Sequence, residues 1–147
     1  LFKKFKNDYY VYTDPDILPI PECPDDFLYY FKDCLEKNTH IEKIGFGLKI
    51  DDLPKNPTSQ KIIEIENKFW KKKIDKYLYE APIDTTFAMY KPNSFGGYWL
   101  KSLRTNYPYL ARHLTWYDDR DHNEDKFYNQ NIIKNSSFYA NNRYTKY

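Results

Sequence analysis

The stretch Tyr9–Pro21, YYVYTDPDILPIP, decides how this chain reads. Aromatic and β-branched residues from Tyr9 to Thr13 predict a buried strand. The run then stops on two carboxylates one residue apart, Asp14 and Asp16, with Pro15 between them. Like charges held that close at the end of a core strand repel one another. Two arrangements resolve the conflict: a turn whose carboxylates bond back to the backbone, or a hard-cation site whose ion relieves the repulsion. Spacing alone leaves both open, because a second D-x-D, Asp119–Asp121, stands in a loop-like sequence with no strand before it.

Working outward, the lysine-rich residues 1–8 suit the last turn of a helix, where cations complement the dipole. Pro19, Pro21 and Pro24 punctuate a loop, and Asp25 or Asp26 is placed to cap a helix running to Asn38. In that helix Phe27, Tyr30, Phe31, Cys34 and Leu35 recur at helical spacing and predict one apolar face. Lys43–Ile50 alternates like a strand, with Ile44, Phe46, Leu48 and Ile50 on one side, and it too ends on acids, Asp51 and Asp52. A second helix is predicted from Ser59, as its N-cap, to Asp75, with Ile62, Ile65, Glu66, Phe69 and Trp70 on one flank. Ala81–Lys91 reads as a third strand, carrying Asp84. The Arg- and aromatic-rich segment 98–119 receives no element, and the tail from Asp121 reads as partly helical. Strand, helix, strand, helix, strand is the order of an α/β layer protein. Residues 1–120 are expected to form one domain and 121–147 a polar, aromatic tail. Because the first residues read as a helix end feeding a strand, the sequence is expected to start inside a domain.

Composition narrows the classes. Of the 147 residues 20% are aromatic, too heavy a load for a disordered chain. Net charge is +2, from 23 basic and 21 acidic residues, without the lopsided basic character of a nucleic-acid binder, so no nucleic-acid partner is expected. Cys23 and Cys34 show neither CxxC spacing nor a neighbouring histidine, which predicts reduced thiols and a cytoplasmic or cytoplasm-facing protein. No apolar run approaches the ~20 residues of a membrane-spanning helix.

Four phrases in order, YVYTDPDILPIPECP, IGFGLKIDDLP, YEAPIDTTFAMYKP and LRTNYPYLARHLTWY, together resemble a family of bacterial and viral glycosyltransferase-like proteins with the nucleotide-diphosphosugar transferase (GT-A) fold. The similarity runs from about Asn7 to Tyr117. It implies that Asp14 and Asp16 are a D-x-D motif binding a divalent ion, Mn2+ or Mg2+, and the diphosphate of a sugar nucleotide. It implies a nucleotide-diphosphosugar donor, and a carbohydrate or other hydroxyl compound as acceptor. In that family an upstream βαβ half holds the nucleotide. This sequence lacks it, so the resemblance implies a partial GT-A mixed sheet flanked by helices, with the missing half as a partner.

Chemistry suggests the remaining roles. A departing diphosphate needs its charge neutralised by a metal and by nearby cations. Arg104 and Arg112 can serve there, or can pair with acids. His113, in ARHLTWY, is a candidate third metal ligand, since some GT-A enzymes recruit a late histidine; the alternative is a histidine bonded to backbone. An inverting transferase needs a base for the acceptor hydroxyl, whereas a retaining one does not. Asp84 is the first candidate, because an acid within an apolar strand implies either a buried partner or a working role. Asp52 follows, together with Asp51, both of which also suit a turn before Pro54. Trp99 and Trp116 suit sugar stacking but are expected in the core. One rival is a protein that keeps the fold and binds carbohydrate or nucleotide without transfer. Another is a metal-dependent nuclease using Pro15–Asp16 and Glu66–Lys68. The nuclease is disfavoured, because its E-x-K belongs on a strand and Glu66 falls in a predicted helix.

Overall fold

Lys43–Leu48 is the strand on which the rest of the molecule is laid. A computed structural model describes residues 6–84, 86–94 and 97–117. In chain order these give β1 (Tyr10–Tyr12), β2 (Ile17–Pro19), α1 (Phe27–Lys37), β3 (Lys43–Leu48), α2 (Pro57–Glu66), β4 (Leu78–Glu80), β5 (Ala88–Tyr90) and β6 (Ser102–His113). A 3-10 turn, Asn67–Trp70, continues α2, and another, Leu114–Tyr117, follows β6. The class is α/β, with a mixed sheet ordered β1-β5-β3-β6-β2. β3 and β6 run parallel, and the remaining pairings are antiparallel. Along its free edge β6 pairs first with β4 and then with β2.

β3 is buried along its whole length on both faces, for different reasons on each. On one face Ile44, Phe46 and Leu48 meet Phe31, Cys34 and Leu35 of α1, the residues whose helical spacing predicted the apolar stripe. The Phe46 ring stands 5.0–5.2 Å from those of Phe27, Phe31 and Phe87 in tilted and edge-on contacts. On the other face Gly45 and Gly47 leave the backbone bare. A Cβ on Gly47 would lie 2.3 Å from Trp70 Cη2 and 2.3 Å from the carbonyl oxygen of Thr105. Glycine is what lets the indole lie against the strand.

Several expectations are corrected. α2 starts on Asn56, whose Oδ1 accepts from the Ser59 N–H at 2.8 Å, with Pro57 in the first turn; Ser59 is therefore not the cap. The helix ends at Glu66 rather than Asp75, and the 3-10 turn sets Phe69 over Arg104. Asp26 precedes α1 without a side-chain cap bond. Only Ala88–Tyr90 of the proposed third strand pairs as strand; Ala81 is held off to the side, its N–H on Ser102 O and its own carbonyl on Ser102 Oγ. The longest strand, β6, lies in the segment given no element. Its register jumps from Phe46↔Thr105 to Gly47↔Leu110, so Asn106–Tyr109 bulge out, with a cis Tyr107–Pro108 peptide inside the bulge. Thr105 Oγ1 bridges the bulge to Tyr109 O at 2.6 Å. Expectations for residues 1–5 and for the tail 121–147 fall outside the described residues.

The strand order carries a geometric consequence. β1 and β2 are four strand spacings apart, about 19 Å in a flat sheet. The five Cα steps from Tyr12 to Ile17 reach at most about 18 Å even fully extended. The sheet is accordingly curled, and the Asp14–Asp16 turn crosses between its approaching edges.

Candidate functional site

The antiparallel pairing of Ile17 with His113 sets the start of β2 beside the end of β6. Asp16, one residue before β2, therefore stands next to His113, with Oδ2 3.3 Å from Nδ1. Thr115 Oγ1 lies 2.7 Å from His113 Nδ1 and 3.4 Å from Asp16 Oδ2, closing a triangle of donors and acceptors. The turn is pinned from behind by the Leu114 N–H, which donates to Asp16 O at 2.8 Å. Trp116 stacks on the imidazole at 4.8 Å with planes 3° apart, and packs on the other side against the core. The ring orientation is thus fixed by an apolar support.

Burial lowers the His113 pKa below its ordinary 6.5, against the opposing pull of Asp16 and then Asp14. The imidazole is neutral at pH 7 and keeps a nitrogen lone pair for a ligand. Its protonation is harder in the folded than in the unfolded chain. The stability it contributes is present above about pH 6.5 and lost as pH falls through the folded value. An NMR titration of the ring is expected to give a midpoint below 6.5, driven lower still in Asp16→Asn. An upward move in that variant would mean that the carboxylate does not act on the ring.

A second cluster gathers at the same end of β3. Lys49 follows the strand, and its ammonium reaches Asp51 at 2.6 Å and Asp52 at 3.9 Å. Asp52 also takes Arg112 Nη2 at 2.5 Å, while the Tyr117 hydroxyl donates to its other oxygen at 2.7 Å. Burial works to raise the Asp52 carboxyl, but Tyr117, Arg112 and Lys49 together hold it below the usual carboxylate range. A carboxylate held down in this way is a weak base. Arg112 Nε is buried without a partner among the described residues.

Arg104 and Asp84 belong elsewhere. The stretch of β6 from Arg104 to Ala111 advances only as far as Gly45 to Leu48 on β3, so Arg104 sits about 17 Å from His113 along the strand. Its guanidinium is 3% exposed and bonded to Glu66 Oε2 at 2.7 Å and Pro82 O at 2.8 Å, with Phe69 beneath it at 4.1 Å. It pairs with an acid instead of facing the Asp16–His113 end. Asp84 is not within a strand: it is exposed, in the loop before β5. It acts electrostatically on Lys43 and Tyr90, which pair across β3 and β5 at the end of the sheet opposite His113. Asp84 and Asp16 are not brought together.

Among the described residues no group of three or more His, Cys, Asp or Glu side chains is arranged to hold a metal ion. Asp16 and His113 supply two donors, an oxygen and a nitrogen, at a separation that suits a shared ion. Cys23 and Cys34 are both free, and no helix of the described residues is long and apolar enough to cross a membrane. Thr115, Tyr117 and Lys49 were not singled out from the sequence. Their signal was position alone, each within a few residues of a candidate. Comparison of the chain with protein-family models, with curated proteins and with solved structures gave no match.

Proposed function

We propose that this chain is the metal- and acceptor-side part of a GT-A-type glycosyltransferase-like protein, binding a nucleotide-diphosphosugar through a divalent ion. The observation that carries the reading is the meeting of Asp16 and His113 at 3.3 Å, where β2 starts beside the end of its neighbour β6 and the D-x-D resemblance expects a ligand set. Magnesium-type ions commonly take one or two protein carboxylates and complete their shell with phosphate oxygens and water. A two-donor pair therefore fits a centre finished by a diphosphate. The ion, when bound, would neutralise charge on the departing diphosphate. Asp16 and His113 would hold it, with Trp116 fixing the imidazole and Leu114 N–H fixing the turn. Arg104 takes no part, since it lies about 17 Å from His113 along β6, paired with Glu66.

Neither candidate for the acceptor base among the described residues is placed for the role. Asp52 is held down by its three partners, and Asp84 lies at the other end of β3. That distribution favours, as a second reading, a protein that binds the sugar nucleotide without transferring it.

Calorimetry of the chain against UDP- and GDP-sugars, with and without Mn2+, tests both. Manganese-dependent binding is expected, weakened by about ten- to a hundredfold in Asp16→Asn. Absence of binding by the wild type, or equal affinity of the variant in manganese, would remove the assignment. Release of free nucleoside diphosphate then separates transfer from binding alone.

A further inference from the structure

Basic charge is gathered in one part of the chain. Residues 55–76 carry seven lysines against three acids, and one of those acids, Glu66, is paired with Arg104. Elsewhere in the described residues nine bases stand against thirteen acids. All seven lysines are exposed. The small net charge of the whole chain therefore conceals a separation, with a basic region beside an acidic remainder of the described residues.

The densest part of that region, Lys68, Lys71, Lys72, Lys73 and Lys76, lies on the 3-10 turn Asn67–Trp70 and on a short hairpin that ends in β4. Backbone bonds fix the hairpin. Lys73 pairs with Tyr79, the Ile74 N–H donates to Leu78 O at 2.8 Å, and the Glu80 N–H donates to Lys72 O at 2.9 Å. β4 pairs in turn with residues 103–105 of β6, the stretch of that strand remote from His113. Two acids answer the lysines locally: Glu80 takes Lys72 at 2.7 Å, and Asp75 Oδ1 accepts from the Tyr77 N–H at 2.7 Å. Near the bend, Ile74 stands across from Leu78. Leu78 belongs to the core at 3% exposure, whereas Ile74 is 45% exposed. Trp99, expected in the core, is also exposed at 80%, but Ile74 differs in standing within a run of lysines.

We propose that this hairpin is a docking surface for an anionic lipid bilayer, the lysines meeting the headgroups and Ile74 entering the headgroup–acyl boundary. Charge complementarity carries the choice of an anionic partner. The side chains carry the choice of lipid. All five cations are lysines, compact charges that attract a diffuse negative surface without the planar fork by which arginine grips single phosphates or base edges. Their alkyl stems can follow an apolar boundary while the ammonium groups stay in water, and the branched Ile74 side chain has a place there that a polyanion in water does not offer. The surface goes beyond the donor site at Asp16 and His113 and does not rest on it.

Flotation of the intact chain with vesicles of equimolar phosphatidylcholine and phosphatidylserine, against vesicles of phosphatidylcholine alone, tests the proposal. Binding to the anionic vesicles alone is expected, and raising salt from about 0.1 M to about 0.5 M is expected to abolish it. Lys71→Ala, Lys73→Ala and Lys76→Ala combined are expected to weaken it about a hundredfold. Ile74→Ser leaves every charge in place and is expected to weaken it about tenfold. Amide spectra matching the wild type away from the hairpin establish that both variants keep the fold. Manganese-dependent sugar-nucleotide binding is expected unchanged in both, so the two readings fail separately. Equal binding to the two kinds of vesicle, or binding to neither, would overturn the proposal, as would undiminished binding by either variant. So would tighter binding to a DNA or RNA oligonucleotide than to the anionic vesicles at the same salt, which would assign the lysines to nucleic acid.

Discussion

Replacing Arg104 by methionine is expected to destabilise the fold by about 3–5 kcal/mol, because it leaves the Glu66 carboxylate buried and unpaired. Glu66 is 6% exposed and Arg104 3%, and they share a 2.7 Å bond between α2 and β6. Burial pushes the glutamate up and the arginine down, each against the pull of the other. Removing either partner exposes the full desolvation cost of the other. Removing both, as Arg104→Met with Glu66→Leu, is expected to restore most of the loss, since well-packed apolar replacements of buried pairs are often neutral. Arg104→Lys is expected to restore little. An ammonium cannot reproduce the planar contact with Phe69 or reach Pro82 and Glu66 together. Urea unfolding of the three variants measures the pair. A single-variant loss below about 1 kcal/mol would mean that water reaches it, as it does an exposed pair.

The second large effect is expected at Phe46. Its ring is wholly buried and touches three other phenylalanine rings where α1 crosses β3. Phe46→Ala is expected to lower stability by about 3–5 kcal/mol, the sum of lost transfer energy and a cavity that rigid neighbours cannot fill. Phe46→Leu keeps much of the volume and is expected to cost about half as much. Denaturant midpoints check both. Equal losses would show that ring contacts count for more than volume at this site.

What the sequence disclosed, and what it hid, follows from how each element is buried. α1 was legible because one face is wet, so Phe27, Tyr30, Phe31, Cys34 and Leu35 mark the other. β3 was legible from its alternation, although its glycines belong to a second buried face and not to solvent. β6 hid because it is central along most of its length and broken by the Asn106–Tyr109 bulge, which erases any period of two. β2 hid behind Pro19, a residue that an edge strand tolerates where a central one does not. At the site, Asp16 and His113 were grouped as candidate ligands through the resemblance, while spacing gave no sign of the β2–β6 register that brings them into contact. Asp84 was misjudged because an apolar setting in sequence was taken for burial in space. Glu66, an acid on the apolar flank of a predicted helix, was the one available signal of the buried pair with Arg104.

The turn that carries Asp14 and Asp16 also bears on the order in which the molecule assembles. β1 waits for β5, and β2 waits for the far end of β6, the two pairings with the largest sequence separations in the sheet. Loop-closure entropy makes such contacts late and slow relative to the nearer β4–β6 and β3–β5 pairings. During synthesis Asp16 emerges well before His113, and the two cannot meet until His113 has left the ribosome and β6 has docked. The donor pair is thus a late product of folding, formed when β2 closes on the last residues of β6.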